Sequence, residues 1–413
     1  MEFSAYYSNL WRHFGIVGNL LTITPPSEFD MDPSLFTSQS PGDLVSIETV
    51  WGKDYAYVPH PLPPAWEFPI EVWPLLNEAT NRLSLLEGIG STLPNPGLLL
   101  RPLRDREAIR SSEIEGTYAN PRELLLFELK PRESQSAEDP ANDQREVLNY
   151  RRALEHAEQT ELPLCLRLLR ELHHILLTGV RGADRTPGEF RRLQVAIGTK
   201  GRFVPPPPHL IGDLLSPFEA FLHRKDRPYH PLVDCFLAHY QFETIHPFAD
   251  GNGRVGRLLL SIMVQQACGL SKPWLHLSEF FESRREEYYG GLFGISTDGD
   301  WSRWIAYCLK GVASQATTTV ERCKRLLNAR EDFKNRAQAI GGSARLQGIV
   351  DGVFESPLVR ITELRDRFNI DYKTARTDVE KLVAAKILAE LPDQYPKTYY
   401  APEIFAIAYE GLE

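Results

Sequence analysis

The chain has 413 residues, 42% hydrophobic and 24% charged, with a formal net charge of −9. That length supports two or three domains around a sizeable core, and the negative balance argues against a protein that coats nucleic acid or anionic lipid. No apolar run is long enough to span a membrane, and the dispersed cysteines (Cys165, Cys235, Cys268, Cys308 and Cys323) contain no Cys-x-x-Cys pair, so neither zinc nor a disulfide framework is implied and a soluble cytoplasmic protein is the expectation.

Residues 1–60 show no clean period and are expected to be an irregular N-terminal extension, of which 1–30 carry no functional reading. Pro61 to Pro64 leads into a first helix near Ile70 to Glu87. A helix-forming stretch from Arg104 ends at Gly116, the expected stop, with Ser111 and Glu115 in its last turns. Pro121 to Glu128 is a short helix, and Glu133 to Asp143 reads as an acidic loop. Asn149 to Gln159 and Cys165 to Thr178 are amphipathic helices, with His173 and His174 as packed or surface residues in the second. Thr186-Pro-Gly-Glu-Phe190 is a turn, and the extended pieces Gln194 to Ile197 and Arg202 to Val204 flank Gly198-Thr-Lys-Gly201 as a β-hairpin. Phe280 to Phe293 is a helix carrying Tyr288 and Tyr289, and Trp301 to Arg330 is a long one. A linker over 331–342 then separates a last unit, 343–413, that reads helix, helix–turn–helix and hairpin, an order that resembles a winged helix.

The stretch with the densest chemistry is His246-Pro-Phe-Ala-Asp-Gly-Asn-Gly-Arg-Val-Gly-Arg257, a polar turn between apolar helices at 232–245 and 258–264. Gly251 and Gly253 have no side chains, so backbone N–H groups can converge on an anion at the start of the second helix, where the helix dipole favours negative charge. Arg254 and Arg257 lie three apart on one helix face, and two buried cations there call for an anionic partner. Asp250 supplies a hard oxygen for a phosphate-bound Mg²⁺, and His246 is the side chain that takes a proton near neutral pH. The set reads as a nucleotide phosphate site with a base beside it.

This pattern, His-x-Phe-x-Asp/Glu-Gly-Asn-Gly-Arg-x-x-Arg, resembles the signature of the Fic family, most of whose members transfer AMP from ATP to a protein hydroxyl. The resemblance implies a mainly α fold: a Fic-type helical bundle with a β-hairpin flap, here spanning 136–330 after an N-terminal helical region, 61–135, with a small winged-helix-like α+β unit behind it. It implies His246 as catalytic base, Gly251, Asn252, Gly253, Arg254 and Arg257 as ATP-phosphate ligands, Asp250 as the Mg²⁺ ligand and Phe248 as a structural anchor. Ser111, Glu115 and Gly116 match the family's inhibitory motif Ser/Thr-x-x-x-Glu-Gly/Asn, in which the glutamate pairs with the second signature arginine, Arg257. Thr199, Lys200, Gly201, Arg202, Phe203 and Val204 correspond to the flap that aligns a target segment by strand addition. Tyr288 and Tyr289 read as core by pattern, whereas the resemblance suggests that they line an adenine pocket; Ser296 stands where some relatives carry an asparagine near the base.

The function implied is a protein adenylyltransferase using ATP with Mg²⁺, acting on an unidentified target protein and restrained by Glu115. An enzyme that removes AMP with the help of Glu115 is the first rival. A nucleotide-sensing regulator that binds DNA through the last unit is the second. Over 341–413, nine Lys/Arg face twelve Asp/Glu, about −3, a weak footprint for DNA, so homodimer or domain contacts are preferred.

Overall fold

A computed structural model describes residues 31–49, 52–91, 96–136, 139–180, 185–198, 202–392 and 394–412. It opens with a correction to the irregular N-terminal reading. β1 (Gly42–Thr49) and β2 (Gly52–Pro59) form an antiparallel hairpin in continuous register from Gly42↔Pro59 to Thr49↔Gly52. Its alternation is blurred in sequence because both faces of β1 are partly covered, so Leu44 and Val45, on opposite faces, are each half-buried.

The helical body comes next. α1 (Trp73–Ser91) lies along a long helix from much later in the chain, and α2 (Gly97–Ile114) is followed by Gly116, whose φ of 85° suits a residue without a Cβ. α3 (Pro121–Leu129) starts on Asn120, whose side chain accepts the N–H groups of Arg122 and Glu123, with Pro121 in the first turn. α4 (Pro140–Gln159) begins nine residues before the expected start: Asp139 caps it, and the supposed acidic loop gives way to helix at Pro140. α5 (Leu166–Leu177) packs on α4, and α6 (Ile211–His223) on α7 (Pro231–Ile245). α7 and α8 (Asn252–Ala267) are buried on almost every face and pack against each other, which places the turn between them inside the protein.

α9 (Ser278–Ser283) and α10 (Arg285–Asp298) replace the single helix expected over 280–293, because Arg284 leaves the helical region at φ −132°, ψ 44°. α11 (Trp301–Ala339) has 39 residues, a span of about 58 Å. It runs through most of the expected linker, leaving a turn only at 340–342. Phe333 and Ala337, four apart and both fully buried, explain why. This end of α11 is core for residues 343–413, with the Phe333 and Phe354 ring centroids 5.9 Å apart.

The last unit comprises α12 (Ala344–Glu355), β3 (Leu358–Arg360), α13 (Ile361–Phe368), α14 (Tyr372–Ala384), β4 (Ala389–Leu391), β5 (Thr398–Tyr400) and α15 (Pro402–Ala408). Its strands form an antiparallel sheet in the order β3-β5-β4. Its apolar residues join one continuous core with the helical body, α12 packing on α2 and α15 on α11. Mainly helical with small sheets, the architecture matches the expected class. Among the described residues no helix is long and apolar enough to cross a membrane.

Candidate active site

The signature turn is held from several sides. His246 caps α7 in the left-handed region, φ 51° and ψ 59°, with its N–H on the Phe242 carbonyl at 2.9 Å. Its Nδ1 lies 3.2 Å from the Glu243 carbonyl oxygen, which can only accept, so Nδ1 carries the hydrogen and Nε2 keeps its lone pair. Burial lowers the His246 pKa to about 4, partly countered by that hydrogen bond, so the ring is a neutral base at pH 7. Arg191 donates from Nε to the His246 carbonyl at 2.8 Å and from a terminal nitrogen to the Pro206 carbonyl at 2.6 Å, tying the turn to the preceding loop.

Phe248 is fully buried and stacks on His173, with ring centroids 3.9 Å apart and planes 10° from parallel. His173 accepts the Gly188 N–H at Nδ1 (2.8 Å), so its Nε2–H is free to donate to the Asp250 carbonyl at 3.0 Å. Asn252, 1% exposed, closes the turn on itself: its Oδ1 accepts the Phe248 N–H at 2.8 Å and its Nδ2 donates to the Phe248 carbonyl at 2.9 Å. The Asn252 side chain thus shapes the turn. Gly251 is similarly engaged, since its N–H meets the carboxylate of Asp250 at 2.6 Å. Its φ of 74° is the left-handed turn that starts α8.

The two signature arginines are buried, and each already has a carboxylate. Arg257, 2% exposed, donates from Nε to Ser111 Oγ (2.8 Å) and from Nη2 to the Ser111 carbonyl (2.9 Å) and Glu115 Oε1 (2.7 Å). Arg254 donates to Glu146 Oε2 at 3.2 Å, and Glu146 also accepts from Thr117 Oγ1 at 2.8 Å. The buried cations therefore do not wait empty for an anion. Glu115 also overlies the glycine turn: a Cβ added to Gly253 would meet its Oε1 at 2.2 Å. Burial raises the Glu115 pKa, but Arg257 outweighs it and holds the carboxyl below its ordinary value, so it is ionised at pH 7. A third of its side chain (34%) remains open to solvent. An exchangeable carboxylate thus sits on the N-terminal turn of α8, beside a neutral histidine.

Comparison with known proteins agrees with this geometry. The profile of the Fic/DOC family N-terminal region matches residues 73–159, and that of the Fic/DOC family matches residues 163–264. The chain contains a Fic/DOC N-terminal region and a Fic/DOC domain. The protein adenylyltransferase Fic of Aedes aegypti is 34% identical over 149 residues, covering 35% of this chain and 28% of that protein. That of Drosophila grimshawi is 35% identical over 152 residues, covering 36% and 29%. The chain thus spans under a third of the length of these curated relatives. A solved Fic family protein from Desulfovibrio desulfuricans G20 superposes with a TM-score of 0.54 at 19% identity, covering 82% of this chain and 98% of that one.

Other Fic expectations fare unevenly. Of the flap, Thr199, Lys200 and Gly201 lie outside the described residues. The flanking pieces do meet, through reciprocal hydrogen bonds between Ile197 and Phe203 of 2.8 and 3.2 Å. Arg202 sits over the Phe293 ring at 4.5 Å. Val204 is fully buried: its carbonyl takes the Tyr57 N–H of β2 at 2.8 Å and its N–H meets Met31 Sδ at 3.4 Å. The N-terminal hairpin therefore occupies the edge at Val204. Tyr288 is 1% exposed, its phenol 2.9 Å from His239 Nε2, so it is core and not the wall of an open pocket. Tyr289, 42% exposed, lies near the helix end, its hydroxyl 3.5 Å from the Ile114 carbonyl. Ser296 is buried under residues 37–40, its Oγ 3.0 Å from the Tyr240 hydroxyl. His173, Arg191 and Glu146 belong to the site without being marked as such by the sequence pattern, although Arg191 directly follows the turn at Thr186 to Phe190.

Proposed function

We propose that this chain transfers AMP from ATP to a Ser, Thr or Tyr hydroxyl of a protein, and that Glu115 restrains the reaction. The observation that carries this is the Glu115–Arg257 contact at 2.7 Å over the Gly253 turn, next to a histidine with an unprotonated Nε2. A phosphate entering the N-terminus of α8 meets the dipole and the backbone N–H groups of the turn, with Arg254 and Arg257 behind it. It must displace the Glu115 carboxylate to take the whole of Arg257. His246 then removes the proton from the target hydroxyl at Nε2, the oxygen attacks the α-phosphorus in line, and pyrophosphate leaves. Positioning and charge stabilisation supply most of the acceleration.

Asp250 fits a Mg²⁺ ligand. It is exposed, one carboxylate oxygen is fixed by the Gly251 N–H, and the other is available to a cation. Among the described residues no three His, Cys, Asp or Glu side chains gather as a metal site, which suits an ion held by one carboxylate and the phosphates of ATP. Bound Mg²⁺ would neutralise phosphate charge there. The target's extended segment docks along the 194–197 side of the flap, since β2 occupies the edge at Val204. A cytoplasmic setting suits the five unpaired cysteines.

One observation favours a second reading, removal of AMP: the part-exposed Glu115 carboxylate has a side from which it can orient a water. DNA binding through the last unit fits poorly. On α14, Arg376 is paired with Glu380 at 2.8 Å, and the exposed Lys373 and Lys381 stand in a unit where nine Lys/Arg face twelve Asp/Glu. The test compares ATP labelled at the α- or the γ-phosphate, using Glu115→Ala protein with a cell extract. Protein that acquires α-label but no γ-label supports adenylyl transfer. Transfer of γ-label would replace the reading with phosphoryl transfer, and loss of AMP from modified protein only with Glu115 intact would favour removal.

A further inference from the structure

The restraint on Glu115 does not stop at the active site. α2 carries Ser111 and Glu115 on the face that meets Arg257. At 100° per residue, Arg106 and Arg110 point from the opposite face. There they meet the end of α15 and the residues that follow it. Arg106, 3% exposed, donates to the carbonyl oxygens of Ala408 (3.2 Å) and Glu410 (2.8 Å) through one nitrogen, and to Glu279 of α9 (2.6 Å) through another. Arg110 donates to the Gly411 carbonyl. One residue before Arg106, the buried Asp105 accepts the phenol of Tyr409 at 2.8 Å, on a carboxylate that also holds Arg151 at 3.0 Å. Tyr409 is 1% exposed.

We infer that residues 408–411 are a latch that holds α2 in the position where Glu115 reaches Arg257, so that Arg106, Arg110 and Tyr409 are positioning residues for inhibition. This rests on the adenylyl-transfer reading. The helix is gripped on both sides, by Arg257 through Ser111 and Glu115 and by 408–411 through Asp105, Arg106 and Arg110. The grips differ in kind. Glu115 lies just beyond the last helical residue, partly in solvent, where helix ends open most readily. The latch contacts of Asp105 with Tyr409 and of Arg106 with Ala408 are buried and lie nine or ten residues earlier, about 15 Å along the axis. Carbonyl oxygens 408, 410 and 411 come from one short stretch at a helix end, where such groups lack partners within the helix. A guanidinium satisfies several of them at once. The last unit of the chain thereby acts on the inhibitory carboxylate without touching the phosphate site, and displacing 408–411 frees α2 to carry Glu115 off Arg257.

The test measures α-label transfer from ATP by wild type, Tyr409→Phe, Tyr409→Ala, Glu115→Ala and Glu115→Ala/Tyr409→Ala. Tyr409→Phe is expected to raise labelling about fivefold over wild type, the shift from losing one net buried hydrogen bond. Tyr409→Ala, which also removes the buried ring, gives a larger rise of the same sign. In the Glu115→Ala background Tyr409→Ala changes nothing, because the carboxylate through which the latch acts is already gone; a merely structural tyrosine would instead lower activity in both backgrounds. The inference is overturned if Glu115→Ala labels strongly while Tyr409→Ala does not exceed wild type, or if Tyr409→Ala lowers labelling in both. If Glu115→Ala itself fails to label, the activity reading is what has failed, and the latch is judged by amide hydrogen exchange over 105–116. Faster exchange there in Tyr409→Ala supports it, and unchanged exchange refutes it.

Discussion

Glu115 and an ATP phosphate compete for the same guanidinium, and the size of that competition can be worked from the geometry. Glu115→Ala is the cleanest perturbation. The backbone there, φ −89° and ψ 2°, is open to alanine, so no glycine entropy is added to the unfolded chain. The Oε1–Nη2 hydrogen bond is short, 2.7 Å, and charge-assisted, a class that contributes about 1.5–3 kcal/mol net. Because the Glu115 side chain is 34% exposed, solvent screening places it at the low end, about 1.5 kcal/mol. Two consequences are expected, both measured with His246→Ala present so that ATP is not consumed. Calorimetric titration should show ATP binding about tenfold tighter in Glu115→Ala than with Glu115 intact. Without nucleotide, Glu115→Ala should be less stable to urea by about 1.5 kcal/mol, and saturating ATP should close that gap as phosphate replaces the carboxylate on Arg257. Glu115→Gln should fall between, keeping a hydrogen bond without the charge. Equal ATP affinities in the two proteins would refute the competition, however the activities compare.

Two further outcomes are expected at the same site. Glu146→Gln leaves Arg254 buried without its carboxylate and should lower stability by about 3 kcal/mol in urea unfolding; a change under about 0.5 kcal/mol would mean that the pair carries little. The pH dependence of Glu115→Ala labelling should reflect a His246 pKa near 4 and not the ordinary 6.5, so the rate stays high as pH falls through 6. A half-maximal rate near pH 6.5 would contradict a His246 held neutral by its surroundings. The same shift has a stability cost in acid. The unfolded chain takes up protons below 6.5 before the folded one does, so the stability linked to His246 is complete above pH 6.5 and is lost as pH falls towards 4. His173, lowered to about 4 by burial, adds to the loss in the same direction.

The signature is legible in the sequence because its parts are local. Gly251 and Gly253, the helix start and the arginine spacing all lie within one turn of chain, and the α7–α8 pair comes from an unbroken apolar pattern. The Arg257–Glu115 contact spans 142 residues and is reachable from sequence only through the family resemblance. The features that stay hidden depend on partners brought together by the fold. Glu146 sits in the polar run Asn142 to Glu146, which looks like surface, and only α8 packing on α4 shows why it is 3% exposed. His173 looks like any packed histidine until Phe248 stacks on it. Phe333 and Ala337 make a weak pattern in a charged segment because the surface that buries them comes later in the chain, so this part of α11 resembles a linker in sequence. The N-terminal hairpin is obscured for a related reason: Tyr57, Phe36, Phe203 and Phe293 make one cluster drawn from distant segments.

The most direct test of adenylyl transfer under Glu115 restraint is label transfer from α-³²P-ATP with Mg²⁺ by wild type, Glu115→Gly and Glu115→Gly/His246→Ala, with all three shown to be folded. The expected result is weak labelling in wild type, strong labelling in Glu115→Gly and none in the double variant. Labelling that survives the loss of His246, or wild type that labels as strongly as Glu115→Gly, would contradict the mechanism.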